Sequence, residues 1–213
     1  MKNVFTLLFL TLFASTAIAQ NTMLTASIAD EIPTNYKKRS PVYDYTEVNL
    51  NNVDTIPGFD TATNKLKLTG TIYLSDGVTP AKDVVFYIEH ADEAGEYDIK
   101  KEHGKKYIEH RGWVKTDANG TYTLYTFMPG EAIIPITQPE RRSPKQIFPI
   151  VKVPGEKAYN LSAFMFDNDP LITKTCRKRL KRKGIDCLLT TTQEGDMLVA
   201  TKDIILKSDA AAY

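Results

Sequence analysis

The chain has 213 residues, with 27 lysines and arginines against 26 aspartates and glutamates and a formal net charge of +1. That balance selects no strongly charged partner. The length suits one domain, or one domain with an arm, and is enough to bury a real core. The chain opens with Met-Lys-Asn, the apolar run VFTLLFLTLFA and the small residues STAIA. This is the pattern of a secretory signal peptide, residues 1–19, cut after Ala19. No cysteine stands in the positions just after the cut, and no later apolar run approaches the ~18 residues of a membrane-spanning helix. The expectation is a soluble, exported protein, periplasmic or secreted, without a transmembrane segment.

Residues 20–64 are rich in Asn, Thr, Asp and Pro and show little periodicity, and are expected to form an irregular N-terminal arm. From residue 66 short runs of Val, Ile, Tyr, Phe and Thr are punctuated by Gly, Pro, Asn and Asp. Strands are predicted at 66–74, 83–89, 112–117, 121–127, 132–137, 147–153, 159–166, 186–192 and 196–206. Eight or nine such strands make an all-β sandwich or barrel over 65–207, with a short tail at 208–213. Asn119-Gly120, between two β-rich runs, predicts a hairpin.

One helix interrupts the series at 170–183, with Asp169 as cap, Pro170 at its first position and Gly184 closing its end. Ile172, Cys176 and Leu180 share one stripe that faces the sheet. Cys176 thereby faces Cys187, and in an oxidising compartment a disulfide is expected, two separately buried thiols being the alternative. The other face carries Lys174, Arg177, Lys178, Arg179, Lys181, Arg182 and Lys183. Such a patch is either a solvated face or a site for lipid phosphates or anionic glycans. Nucleic acid is not expected, because no aromatic residue interleaves with the cations.

A series of short motifs follows one order: a Gly-containing first strand (LTGTIYL), ADEAGEY at Ala91 to Tyr97, Arg111-Gly112, TDANGTY at Thr116 to Tyr122, Thr126 with Pro129-Gly130, and VKVPG at Val151 to Gly155. Over residues 66–169 the chain thus resembles the intradiol ring-cleavage dioxygenases of the catechol 1,2- and protocatechuate 3,4- type. The resemblance implies a prealbumin-like β-sandwich. It also implies the family's mononuclear ferric site, two tyrosinates and two histidines, which cleaves an aromatic diol between its hydroxyls.

Carried over position by position, the first ligand is Tyr97. The second falls on Ala132, and the His-x-His pair falls on Gln146 and Phe148, so three of the four ligand positions are substituted. Arg142 lies one residue out of register with the family's substrate-contacting arginine and is the one tentative catalytic residue. An improvised site from Tyr97, His90 and His110, with His103 nearby, is the alternative metal centre.

Three functions follow from this. The first is a non-catalytic binding or structural module with no cofactor. The second is a diol dioxygenase using Fe(III) at a divergent site. The third is an envelope-surface module whose basic helix meets an anionic component. An unidentified ligand or protein and a homo-oligomer complete the partner expectations.

Overall fold

Leu66, Leu68 and Ile72 recur at even spacing and so share one face of a strand, as do Tyr122, Leu124 and Thr126; all six are fully buried. These two strands pair antiparallel from Lys65 opposite Phe127 to Thr71 opposite Thr121, and the sandwich is built around them. The computed structural model describes residues 35–45, 50–134 and 139–207. The expected signal peptide, the tail at 208–213 and part of the arm lie outside the described residues.

The elements are, in order, β1 (Val53–Thr55), β2 (Lys65–Tyr73), β3 (Val85–His90), β4 (Ile99–Glu102), β5 (Lys105–Ile108), β6 (Arg111–Lys115), β7 (Thr121–Phe127), β8 (Ile133–Ile134), β9 (Arg141–Arg142), β10 (Gln146–Lys152), β11 (Tyr159–Asn160), β12 (Phe164–Phe166), helix α1 (Lys174–Arg182), β13 (Leu188–Leu189), β14 (Thr191–Glu194), β15 (Met197–Thr201) and β16 (Ile204–Ile205). One six-stranded sheet runs β1-β7-β2-β15-β14, with β16 also on β2. The second runs β13-β12-β10-β3-β6, with β11 on β10. Their inner faces meet in one core, where Phe86 packs on Tyr122 at 4.7 Å and on Phe164 at 6.4 Å between ring centroids. The all-β sandwich with one short basic helix is as expected.

Several predicted elements are divided, each for a local reason. The run 159–166 breaks into β11 and β12 alongside Pro149, which has no N–H to give the ladder. The run 196–206 breaks at Lys202, whose amide bonds to the Thr69 carbonyl while its own carbonyl accepts from the buried Tyr122 hydroxyl at 2.6 Å. The run 186–192 divides at Thr190, because β13 joins one sheet and β14 the other.

The Asn119-Gly120 turn forms, but not as a hairpin. Asp117 accepts from the Asn119 and Thr121 amides at 2.9 and 2.8 Å, and Gly120 takes φ +69. Yet β6 before the turn pairs with β3, and β7 after it pairs with β2. The turn carries the chain from one sheet to the other.

Helix α1 begins later than predicted. Thr173 is its N-cap, accepting from the Cys176 amide at 3.2 Å. Asp169 is engaged instead by the Leu171 and Lys145 amides at 2.8 Å each. The late start leaves Cys176 half-buried in the first turn and Cys187 buried before β13, and both are free thiols. The expected disulfide is therefore not formed.

The arm is also shorter than expected, since residues from Lys37 onward belong to the compact unit. Val42, fully buried, packs with Val85, Tyr87 and Ile150 on the outer face of the second sheet. Trp113 donates to the Pro41 carbonyl at 3.1 Å, and the Tyr43 hydroxyl accepts from the Ala158 amide at 3.0 Å. Asp44 completes the strap, taking Arg39 at 2.8 Å and Lys105 at 2.5 Å where all but 4% of its side chain is covered.

Candidate functional site

Strand alternation divides the residues of β3 between two faces. Phe86 and Ile88 point into the core, while Tyr87 and Glu89 point outward. In the ladders on either side, Glu89 stands opposite Arg111 of β6 and Phe148 of β10. Arg111, Glu89 and Phe148 thus form one row across three strands on the outer face. Gln146, two residues before Phe148, shares that face and is also half-buried.

This row is chemically occupied. The Tyr87 hydroxyl donates to Glu89 Oε2 at 2.5 Å. The Arg111 guanidinium lies 3.7 Å above the Tyr107 ring and 4.9 Å from the Trp113 ring, a cation held by two aromatic faces. Burial first, and then the Glu89 charge, push the Tyr87 phenol far up from its ordinary value. It stays a neutral donor to the carboxylate.

The ADEAGEY motif builds the loop that follows β3. Asp92 Oδ1 accepts from the Ala94 and Glu96 amides at 2.9 and 2.8 Å, and its carbonyl accepts from Gly130 at 2.7 Å. Gly95 takes φ +89, and a Cβ on it would stand 2.2 Å from the Glu131 carbonyl oxygen. One on Gly130 would stand 2.4 Å from the Gly95 nitrogen. Two glycines therefore press the loop that leads to Tyr97 against the segment that leads to Ala132. Tyr97 is 37% exposed, and burial followed by the Glu89 charge raises its phenol pKa.

The side chains at the four carried-over positions do not fit a ferric ion. Ala132 offers a methyl group and Phe148 a phenyl ring, neither with a donor atom, and Gln146 offers a neutral amide where the family has imidazole. Tyr97 alone retains the donor type that hard ferric iron favours.

The alternative centre at Tyr97, His90 and His110 is not assembled. His90 follows Glu89 on β3 and points to the opposite face, where it is fully buried. Its Nδ1 lies 2.6 Å from the Ala91 carbonyl and its Nε2 2.6 Å from Thr126 Oγ1, so both ring nitrogens are engaged. His110 stacks on it at 6.1 Å, Phe127 meets both rings edge-on at 4.9 Å, and His110 donates to the Pro57 carbonyl at 3.1 Å. Burial holds His90 down at about 4, a neutral structural imidazole. His103 lies apart, at the tip of the β4–β5 hairpin. Among the described residues no group of three or more His, Cys, Asp or Glu side chains gathers to hold a metal.

Arg142 faces solvent on the β8–β9 hairpin, bonded to the Glu131 carbonyl at 3.2 Å and to Glu140 at 3.4 Å. In the basic helix Arg177 pairs with Asp167. Lys178, Arg179, Lys181, Arg182 and Lys183 are exposed. The Glu89–Tyr87 pair and the Tyr107 stack were not among the residues singled out from sequence. The alternation in DVVFYIEH, which puts Glu89 on the face of Tyr87, is the signal that finds the first of these.

No protein-family model matches the chain and no curated protein matches it. Solved structures do. The dioxygenase domain of a dioxygenase carbohydrate-binding protein fusion from Streptomyces sp. SirexAA-E superposes with a TM-score of 0.55 at 20% identity, covering 76% of this chain and 92% of that one. This chain has the intradiol-dioxygenase fold. The 3-chlorocatechol 1,2-dioxygenase of Rhodococcus opacus 1CP matches with a TM-score of 0.55 at 21% identity, over 76% of this chain and 68% of that one. Catechol 1,2-dioxygenase from Pseudomonas arvilla C-1 gives a TM-score of 0.58 at 15% identity, over 77% of this chain and 60% of that one. The likeness establishes how the sandwich is built. Activity is a separate question, since a fold outlives its chemistry.

Proposed function

We propose that this is an exported, non-catalytic protein that uses the intradiol-dioxygenase sandwich as a binding or structural module. One observation carries the reading: Phe148 stands opposite Glu89, and Ala132 is pressed against the Tyr97 loop, so two positions that would hold iron hold hydrocarbon. The stacked Arg111 and the Tyr87–Glu89 bond support it, because they fill the same face with a satisfied polar network.

The test is oxygen uptake by purified protein given ferric iron and then catechol or protocatechuate. Uptake at background supports the module. Turnover that disappears in Tyr97→Phe establishes the dioxygenase alternative instead. Export is tested separately by N-terminal sequencing of the protein recovered from cells, with Gln20 expected as the first residue.

A further inference from the structure

Seven of the ten residues from Lys174 to Lys183 are cationic and none is acidic, in a chain whose formal net charge is +1. The rest of the chain therefore holds six surplus acids, and the molecule is strongly polarised. Arg177 finds Asp167, but Lys174, Lys178, Arg179, Lys181, Arg182 and Lys183 form no ion pair with any described residue.

Helix stability does not account for them. Lys174–Lys178, Arg177–Lys181, Lys178–Arg182 and Arg179–Lys183 are like-charge pairs at i, i+4, each destabilising. Lys174 also sits in the first turn, where the helix dipole disfavours a cation. The helix forms because Thr173 caps its start, and because Gly184 and Ile185 donate back to the Lys181 and Leu180 carbonyls at 3.1 and 3.0 Å.

Beside the end of this helix lies an open cleft of about 850 Å³ of mixed lining, with Ile185 and Asp186 on the helix side and Phe164, Lys202, Asp203 and Ile205 on the sandwich side. Gly77 also lines it, in the turn that presents Leu74 and Val78. Those side chains are 41% and 75% exposed, and Ile205 is 59% exposed. The turn is pinned by Asp76, which accepts from the Val78 and Thr79 amides at 2.9 Å each. The residues that follow the cationic helix and the turn that carries the apolar knob thus border one cleft.

We propose that this region docks on an anionic lipid bilayer, with the lysines and arginines of α1 on headgroup phosphates and Val78, Leu74 and Ile205 entering the interfacial region. Lysine and arginine suit that depth because their stems lie along apolar surface while their heads stay at the phosphates. A soluble polyanion is served by the cations alone and leaves the apolar knob without a role. The inference is independent of how the Ala132 and Phe148 positions are read.

The test is co-sedimentation of the protein, as processed by the expressing cell, with vesicles of phosphatidylcholine alone, with vesicles containing phosphatidylglycerol, and with heparin beads. Binding is expected to the phosphatidylglycerol vesicles, weakened by salt and absent on phosphatidylcholine. Lys178→Gln/Lys181→Gln/Lys183→Gln should lose on the order of a hundredfold in vesicle affinity. Val78→Ser/Ile205→Ser, on exposed positions that leave the helix intact, should weaken vesicle binding and leave heparin binding unchanged. Circular dichroism verifies that both variants fold, and the second keeps the test decisive if the first does not. Binding to heparin but not to phosphatidylglycerol vesicles, equal binding to both vesicle types, or vesicle binding indifferent to the Val78/Ile205 change overturns the proposal.

Discussion

Gly95 lies so close to Glu131 that a single added carbon would meet the Glu131 carbonyl oxygen at 2.2 Å. This contact sets the distance between the Tyr97 loop and the Ala132 segment, the framework that in an iron enzyme would bring two tyrosinates together. Here the contact stands with an alanine, Ala132, next to Glu131. Gly95→Ala combines a strained φ of +89 with a backbone clash. It should destabilise the fold by roughly 3 kcal/mol, read as a lowered urea midpoint. An unchanged midpoint would mean that the loop yields freely.

His90 sets an acid limit on stability. Its folded pKa is about 4 against an ordinary value near 6.5, so between those values the unfolded chain binds a proton that the folded chain does not. Stability is full above pH ~6.5 and falls as pH drops towards 4, by roughly 3 kcal/mol in all. Urea melts at pH 7 and pH 4.5 should show this loss in the natural protein, and His90→Gln should reduce it. An equal loss in the variant would assign the acid sensitivity to other groups.

The N-terminal strap depends on a buried charge. Asp44→Asn would take the Asp44 carboxylate, 2.5 Å away, from Lys105, which is 92% covered along its side chain. Breaking such a pair costs roughly 3 kcal/mol. Residues 37–43 should then be released, and trypsin should cut at Lys37 to Arg39 faster than in the natural protein. Unchanged cleavage would show that Val42 and the Trp113 bond hold the strap without the ion pair.

Much of the fold was legible because buried strands state their period plainly: β2, β3, β7 and β10 lie within a residue or two of their predicted bounds. What stayed hidden was partnership. Asn119-Gly120 specifies a reversal of direction, and nothing local says that β6 and β7 then enter different sheets. The strap was hidden for another reason, since Val42 and Tyr43 are isolated apolar residues in polar sequence, and their burial depends on Tyr87 and Trp113, far along the chain. At the site, the ordered motifs assigned four ligand positions, of which Gln146 and Phe148 lie on the outer face of β10. The Glu89–Tyr87–Arg111 network that occupies their face came from cross-strand register, which only the assembled sheet supplies.

If the framework is intact and only the donors have been lost, restoring them should restore metal binding. Ala132→Tyr/Gln146→His/Phe148→His should take up ferric iron and develop a visible tyrosinate-to-iron absorption, while the same protein with Tyr97→Phe added should lose intensity. A folded triple variant that stays colourless would show that Glu89 and Arg111 have closed the site more deeply than its ligands alone.

Loss of the iron site is read with the fewest intervening steps from metal analysis and the visible spectrum of the natural protein, purified from iron-replete cells without chelator. The expected result is iron far below one per chain and no charge-transfer band. One iron per chain with that band would contradict it.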